Sequence, residues 1–474
     1  MTDENDYKRN VSLLDATMFV AGAMIGSGIF IVSADMIRNV GSSGWLILLW
    51  CLTGLVTIIG ALSYGELSGM FPKAGGQYTY IREAFGKKMG FLYGWSFFSV
   101  IQTGTIAAVG VAFSKFAAYL FPSLGEDHIL LQFSSFTISA AQILTIVLII
   151  GLTAINTLGV NHGKNIQTVV TIAKLCSLIG LIGFGFYFGA NGNVWHQNWQ
   201  NAFSFRKLSL DGFSNYSGFA VFGAFAAAMV GSLFSSDSWH TIAFIAGEVK
   251  KPERNIGLSL VLGTIIVTAL YLLVNFVYLS ALPLKEIAFA KNDRIAIDAS
   301  SRLFGLTGTR IMAILIMIST FGCVNGLIIT GARVYHTMAH DGLFLKKAGV
   351  LNKNSVPANG LWIQCFWASI LCLSGHYGDL LDYVIFVVLL FYIITISGIF
   401  KLRKTQPNLA RPYKAIGYPV LPIIYIIVAS VISISLFIYK PKFTWPGLFI
   451  VLLGLPIYSY LNKKKLSNES LQKV

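Results

Sequence analysis

Two polar interruptions and one lysine are the residues best placed to do chemistry in this chain. The first interruption is Gly26-Ser27-Gly28, set in the run 21–30 in the middle of the first long apolar segment. The second is Phe234-Ser235-Ser236-Asp237-Ser238-Trp239, polar at mid-depth in a later apolar segment. The lysine is Lys174, in Thr171-Ile172-Ala173-Lys174-Leu175-Cys176. Glycine weakens a helix. Within a bilayer, freed backbone N–H and C=O groups are tolerated only where they are buried in protein or line a cavity. At the N-terminus of a half-helix, free N–H groups and the dipole attract a carboxylate. At a half-helix C-terminus, unpaired carbonyls attract an ammonium. Two such breaks crossing each other would receive a zwitterion, and an α-amino acid is the obvious ligand. One glycine-rich helix alone would more simply be a close-packing motif.

The elements that must position these residues follow from composition. Of the 474 residues 55% are hydrophobic and 12% charged, against about 25% charged in soluble domains. This is the composition of a polytopic membrane protein. The net charge of +15 sits in short loops rather than on one basic face, which argues against a nucleic-acid partner. Cys51, Cys176, Cys323, Cys365 and Cys372 all fall in apolar segments without metal-ligand spacing. They read as packing residues, with no metal, cofactor or disulfide framework. The polar start of the chain predicts no cleavable signal peptide.

A membrane helix needs about 20 mostly apolar residues. Twelve segments qualify, at 12–38, 44–70, 91–121, 137–157, 165–188, 216–247, 256–282, 308–338, 358–375, 380–401, 418–439 and 444–462. Four of them, the first, third, sixth and eighth, are long enough to be tilted, broken or extended. Lys and Arg concentrate in alternate loops, which puts both termini in the cytoplasm. The predicted parts are a cytoplasmic tail at 1–10, five helices in 11–190, an extracellular loop at 191–215 and five helices in 216–401. A basic cytoplasmic loop at 402–417, two accessory helices in 418–462 and a tail at 463–474 complete the chain. The outer loop 283–307 reads as amphipathic surface helix, and the inner loop 71–90 as packed beneath the bundle. Five is odd, so the second set of five inserts inverted. Each set opens with an interrupted helix, the pattern that marks a transporter site.

The motifs carry a resemblance. Gly26-Ser27-Gly28-Ile29-Phe30 is similar to the first-helix signature of the amino acid–polyamine–organocation superfamily. Tyr64-Gly65-Glu66, then Pro72-Lys73-Ala74-Gly75-Gly76-Gln77-Tyr78, resembles its second helix and first inner loop. Phe234-Ser235-Ser236-Asp237-Ser238-Trp239 with Glu248 and Pro252-Glu253-Arg254-Asn255 resembles the sixth helix and its exit. Asn325, Arg333 and His340-Asp341-Gly342 resemble the eighth, and Arg411-Pro412-Tyr413-Lys414 the loop before the eleventh. The match runs in order through nearly the whole chain and points to the L-type amino acid transporter branch.

The resemblance implies an all-α fold of twelve transmembrane helices. They form an inverted five-plus-five repeat of the leucine-transporter kind, with two accessory helices and with helices 1 and 6 broken at mid-membrane. It implies a permease of the plasma or cell inner membrane, with no enzyme activity, moving neutral α-amino acids by sodium-independent exchange or proton symport. Gly26, Ser235 and Ser236 are small, and Asp237 is the only acid at hand, which favours neutral substrates over cationic amino acids or polyamines. Ser27 and Gly28 would meet the substrate carboxylate. The carbonyls of Met24, Ile25, Phe234, Ser235 and Asp237 would meet its ammonium, with Phe234 as the outer gate. Lys174 would replace the sodium ion of related transporters, bonding the carbonyls of Gly22 or Ile25, and could carry a coupled proton. Asp237 could stabilise Lys174, touch substrate or cap the sixth helix. Gln102, Thr103 and Asn325 could line the pocket or tie helices together. His240 reads as a core residue, and Glu66 and Glu248 as partners of inner-side cations. Ser236 and Ser238 depart from the Tyr-Asp-Gly-Trp run common in the branch. The loop 122–136 lacks cysteine, so no disulfide-linked accessory subunit is expected, and a monomer is expected in the lipid.

Overall fold

The structure, a computed structural model, describes residues 9–72, 75–133, 136–189, 192–373 and 377–471. Residues 1–8 and 472–474 of the expected tails, and Lys73 and Ala74 of the expected inner loop, lie outside them.

The chain is helical almost throughout. α1 (Leu13–Met24) begins at a capping box in which Ser12 and Asp15 bond each other's backbone N–H at 2.9 and 3.2 Å. Those two bonds satisfy orphan donors of the first turn. α2 is Ser33–Val40, α3 Ser43–Met70 and α4 Gln77–Phe85. α5 (Lys87–Ser96) passes through a π-turn at Phe97–Ile101 into α6 (Gln102–Leu120). There follow α7 (Ala140–Thr157), α8 (Val160–Phe188), α9 (Gly192–Trp199), α10 (Ala220–Ser235) and α11 (Pro252–Ala281). The remaining helices are α12 (Leu284–Ala288), α13 (Ile295–His340), α14 (Ala358–Cys372), α15 (Tyr377–Thr405), α16 (Val420–Tyr439) and α17 (Pro441–Leu471). Strands are confined to two antiparallel hairpins, β1 (Ile129–Phe133) with β2 (Phe136–Ser139) and β3 (Lys207–Ser209) with β4 (Gly212–Ser214).

Ten helices among the described residues are long and apolar enough to cross a membrane. Two shorter apolar helices, Leu13–Met24 and Ala358–Cys372, fall in the first and ninth expected segments. The chain is thus a multi-pass helical membrane protein. The outer loop 283–307 contains α12 and the first turns of α13, which Gly305 separates from the membrane part by a left-handed φ of 66°. Only glycine takes that conformation cheaply.

Inside the bundle α11 runs against α1 and α3, while α13 packs on α6 and α8. The segment from residue 75 to 90, expected as an inner loop, is tied to helix ends. Tyr78 and Arg82 of α4 both donate to Asp341, at the end of α13, and Gln77 Nε2 donates to Thr395 of α15 at 3.0 Å. Glu66 is fully buried near the C-terminal end of α3 and accepts from Arg403 (2.9 and 2.6 Å) and from the Ala415 N–H (2.8 Å). Glu248 pairs with Arg333 at 2.7 Å. A buried carboxylate left unpaired is costly, so the Glu66 contacts fasten the end of α3 to α15 and to the segment that follows it.

Candidate functional site

α1 stops at Met24. Ile25 is extended (φ −72°, ψ 90°), and after Gly26 and Ser27 the chain resumes as a short 3₁₀ turn at Gly28–Phe30, leading into α2. All of this is buried, so every freed backbone group needs a partner. The carbonyls find theirs across the fold. Lys174 Nζ donates to Gly22 O at 2.6 Å and to Ile25 O at 3.0 Å. The Tyr271 hydroxyl lies 2.9 Å from Met24 O and shares its proton with Ser235 O at 3.1 Å. Tyr278 donates to Ile29 O at 3.2 Å, and Ser33 to Asn275 at 2.7 Å. The N–H side differs: among the described residues, the N–H groups of Ser27, Gly28 and Ile29 meet no acceptor. The Ser27 hydroxyl lies 3.1 Å from that of Tyr377.

The second interruption follows the same pattern in another chemistry. α10 stops at Ser235, Ser238 takes a left-handed φ of 64°, and the chain continues as a 3₁₀ helix over Trp239–Glu248. The backbone here is satisfied locally, with Ser236 N–H on Ser232 O (3.0 Å) and Asp237 N–H on Phe234 O (3.2 Å). The two interruptions touch. A Cβ placed on Gly28 would fall 1.9 Å from Ser235 Oγ and 3.0 Å from Ser235 Cα. Only a residue without a side chain allows that approach. Gly26 faces Cys323, whose Sγ would be 3.3 Å from an added Cβ.

Phe234 stands edge-on to Tyr377 with ring centroids 6.2 Å apart. Together with the Ser27–Tyr377 contact, this joins both interruptions to the first residue of α15. On another side a small cavity opens among Phe19, Ala23, Ser238, Thr241, Cys323 and Thr330. A larger one, lined by Asn156, Arg333, His336 and Ser355, lies away from the interruptions.

The contacts narrow the alternatives that the residues left open. No ion pair joins Asp237 to Lys174 among the described residues. The Asp237 carboxylate accepts from Tyr392 of α15, whose oxygen is also 2.8 Å from His240 Nδ1. His240 is a buried core residue, as expected, and its Nδ1 is satisfied by Tyr392. The polar groups of Gln102 and Thr103 are engaged elsewhere. Gln102 Nε2 donates to Leu327 O at 2.5 Å, tying α6 to α13, and Thr103 Oγ1 takes the Phe98 carbonyl at 2.6 Å, inside the π-turn. Asn325 accepts from Asn156 Nδ2 at 2.8 Å, a link from α13 to α7. Tyr271, Tyr377 and Tyr392 are the contributors that motif reading passed over. Tyr271, Asn275 and Tyr278 recur at i, i+4 and i+7, one face of an otherwise apolar helix, and that stripe is the signal they carried.

Residues 11–458 match the family described as amino acid permease. The serine/threonine exchanger SteT of Bacillus subtilis is 29% identical over 98% of this chain and 100% of its own length. The b(0,+)-type amino acid transporter 1 of Mus musculus is 29% identical over 94% of this chain and 86% of its own. The large neutral amino acids transporter small subunit 2 of Oryctolagus cuniculus is 28% identical over 95% and 80%. With its apolar helices and paired interruptions, the chain belongs to the amino acid permease family, as an L-type transporter-like member of the amino acid–polyamine–organocation superfamily and not an enzyme.

Proposed function

We propose that the chain is a secondary active transporter of neutral α-amino acids, working by alternating access across a plasma or cell inner membrane. The observation that carries this reading is the contact of Gly28 with Ser235 beside unpartnered N–H groups. It sets donors for a carboxylate against carbonyl-bearing ends in one buried place. The substrate carboxylate binds Ser27 and Gly28. Its ammonium binds carbonyls of Met24, Ile25, Phe234, Ser235 and Asp237. Those of Met24, Ile25 and Ser235 already accept one hydrogen bond, and each keeps a second lone pair for the substrate.

Lys174 is the fixed cation of the first interruption, and its two carbonyl bonds make a sodium ion there unnecessary. Phe234 gates the site with Tyr377. A cationic amino acid or polyamine would want an acid facing the substrate, and the Asp237 carboxylate is turned to Tyr392 instead. In membrane terms we read α1 through α2 and α10 through the 3₁₀ helix as spans 1 and 6 of twelve. The repeat is five-plus-five and inverted, both termini are cytoplasmic, and the unit is a monomer without a disulfide-linked partner.

The test is uptake of labelled neutral amino acids into proteoliposomes, with and without internal amino acid and without sodium. Uptake stimulated by internal amino acid or by a proton gradient supports the reading. A strict sodium requirement contradicts the role given to Lys174.

A further inference from the structure

Behind the sixth-segment interruption, on its α3, α15 and α16 side, lies a polar group that substrate binding does not use. Asp237 is only 9% exposed and His240 only 6%. Tyr392 stands between them, donating its hydroxyl proton to Asp237 while its oxygen lies 2.8 Å from His240 Nδ1. A tyrosine hydroxyl has one proton. With that proton committed to Asp237, Nδ1 of His240 is the donor in the second contact. The three groups therefore form a directed chain, His240 to Tyr392 to Asp237.

The surroundings isolate this chain. Tyr64 of α3 stands edge-on to both the His240 and Tyr392 rings, with centroids 6.1 and 6.0 Å away. Tyr425 of α16 is 6.5 Å from the Tyr392 ring. Trp239 packs against His240 and Tyr392, and Phe244 against His240. No ammonium or guanidinium among the described residues pairs with the carboxylate. A small cavity beside Asp237 is lined in part by Thr57, Ser236, Tyr392 and Tyr425. A buried carboxylate without a cation is relieved by taking up a proton, and the adjoining cavity, with hydroxyls in its wall, gives water a place to stand.

We propose that Asp237, Tyr392 and His240 form a proton relay that couples transport to a proton gradient. A proton arriving at Nε2 of His240 lets Nδ1 pass its own proton to the Tyr392 oxygen, and the Tyr392 proton moves to Asp237. One proton has entered, Asp237 is neutral, Tyr392 is unchanged, and His240 carries Nε2–H in place of Nδ1–H. The reverse sequence discharges it. Because Asp237 directly precedes the left-handed Ser238, its charge state acts at the hinge of the second interruption. The relay rests on amino acid transport through the adjoining site.

The experiment uses the full chain in proteoliposomes and a labelled mixture of neutral L-amino acids. It compares exchange at equal pH with net uptake under an acid-outside gradient. The wild type is expected to show several-fold gradient stimulation. Tyr392→Phe keeps the ring and removes the link, so exchange continues while stimulation disappears. His240→Gln, a second variant should Tyr392→Phe fold poorly, loses stimulation as well. Stimulation retained in either folded variant overturns the relay, as does stimulation lost only in Lys174→Ala. Wild-type exchange without any gradient response overturns the relay alone. Absence of all uptake overturns the transport reading and the relay with it.

Discussion

The two interruptions solve one problem in opposite ways. At the first, the freed carbonyls are satisfied by donors from distant helices, Lys174 and the tyrosines of α11. At the second, the backbone closes on itself through Ser232 and Phe234, and the side chain of Asp237 reaches outward to Tyr392. The first is held by the Lys174 side chain on two carbonyls, and the second by a chain of side chains that we propose changes charge. Rigid cross-bracing on one side and a titratable chain on the other is the division of labour expected if one break holds substrate while the other reports the ion gradient.

The contrast can be broken from either side. The largest effect is expected at Lys174. Lys174→Ala removes two charge-assisted bonds to carbonyls, each worth about 1.5 kcal/mol or more, so transport should fall about 100-fold in initial-rate uptake. Unchanged rate and affinity would reduce Lys174 to packing. Gly28→Ala comes next, because its Cβ would sit 1.9 Å from Ser235 Oγ and 3.0 Å from backbone Cα. Overpacking of this kind costs about 2 kcal/mol, and binding should weaken about 30-fold. Adding Ser235→Ala should not rescue it, since the Cβ of residue 235 is still only 2.7 Å away; full rescue would mean the interruptions do not meet as described. Tyr271→Phe leaves the Met24 and Ser235 carbonyls without their donor, at about 1–2 kcal/mol, and should raise the KM for substrate about tenfold. The smallest effect is expected at Tyr377. Tyr377→Phe loses only the Ser27 contact at 3.1 Å, about 1 kcal/mol, and should change exchange by about fivefold while leaving thermal stability near that of the parent.

Much of the fold was legible in the residues, and for physical reasons. Apolar run length is set by bilayer thickness, so the segments from 44–70 to 418–439 fall on α3 to α16. Glycine and serine at 26–28 and 235–236 end helices because little else in those stretches favours one, and α1 and α10 stop at Met24 and Ser235. Lys174 could be singled out because a mid-bilayer charge is costly. Contacts between distant residues were harder to see. Tyr271 sits on a polar stripe with Asn275 and Tyr278, but the Tyr377 hydroxyl and the Tyr392 link carry no local sequence signal, since tyrosine is equally at home in an apolar core. The side-chain direction of Asp237 depends on the left-handed backbone at Ser238, which no spacing rule predicts for serine. Depth alone left Gln102 and Thr103 open between pocket wall and helix tie, because depth does not say which way a helix face turns.

The central claim is that the two interruptions, meeting at Gly28 and Ser235, form one site through which an amino acid crosses. The most direct measurement is uptake of labelled neutral L-amino acids by sodium-free proteoliposomes preloaded with the unlabelled compounds, comparing the wild type with a correctly folded Gly28→Ala protein. Uptake by the wild type, stimulated by preloading and nearly absent in Gly28→Ala, is the predicted result. No uptake of any amino acid by the wild type, or equal uptake by the two proteins, would contradict it.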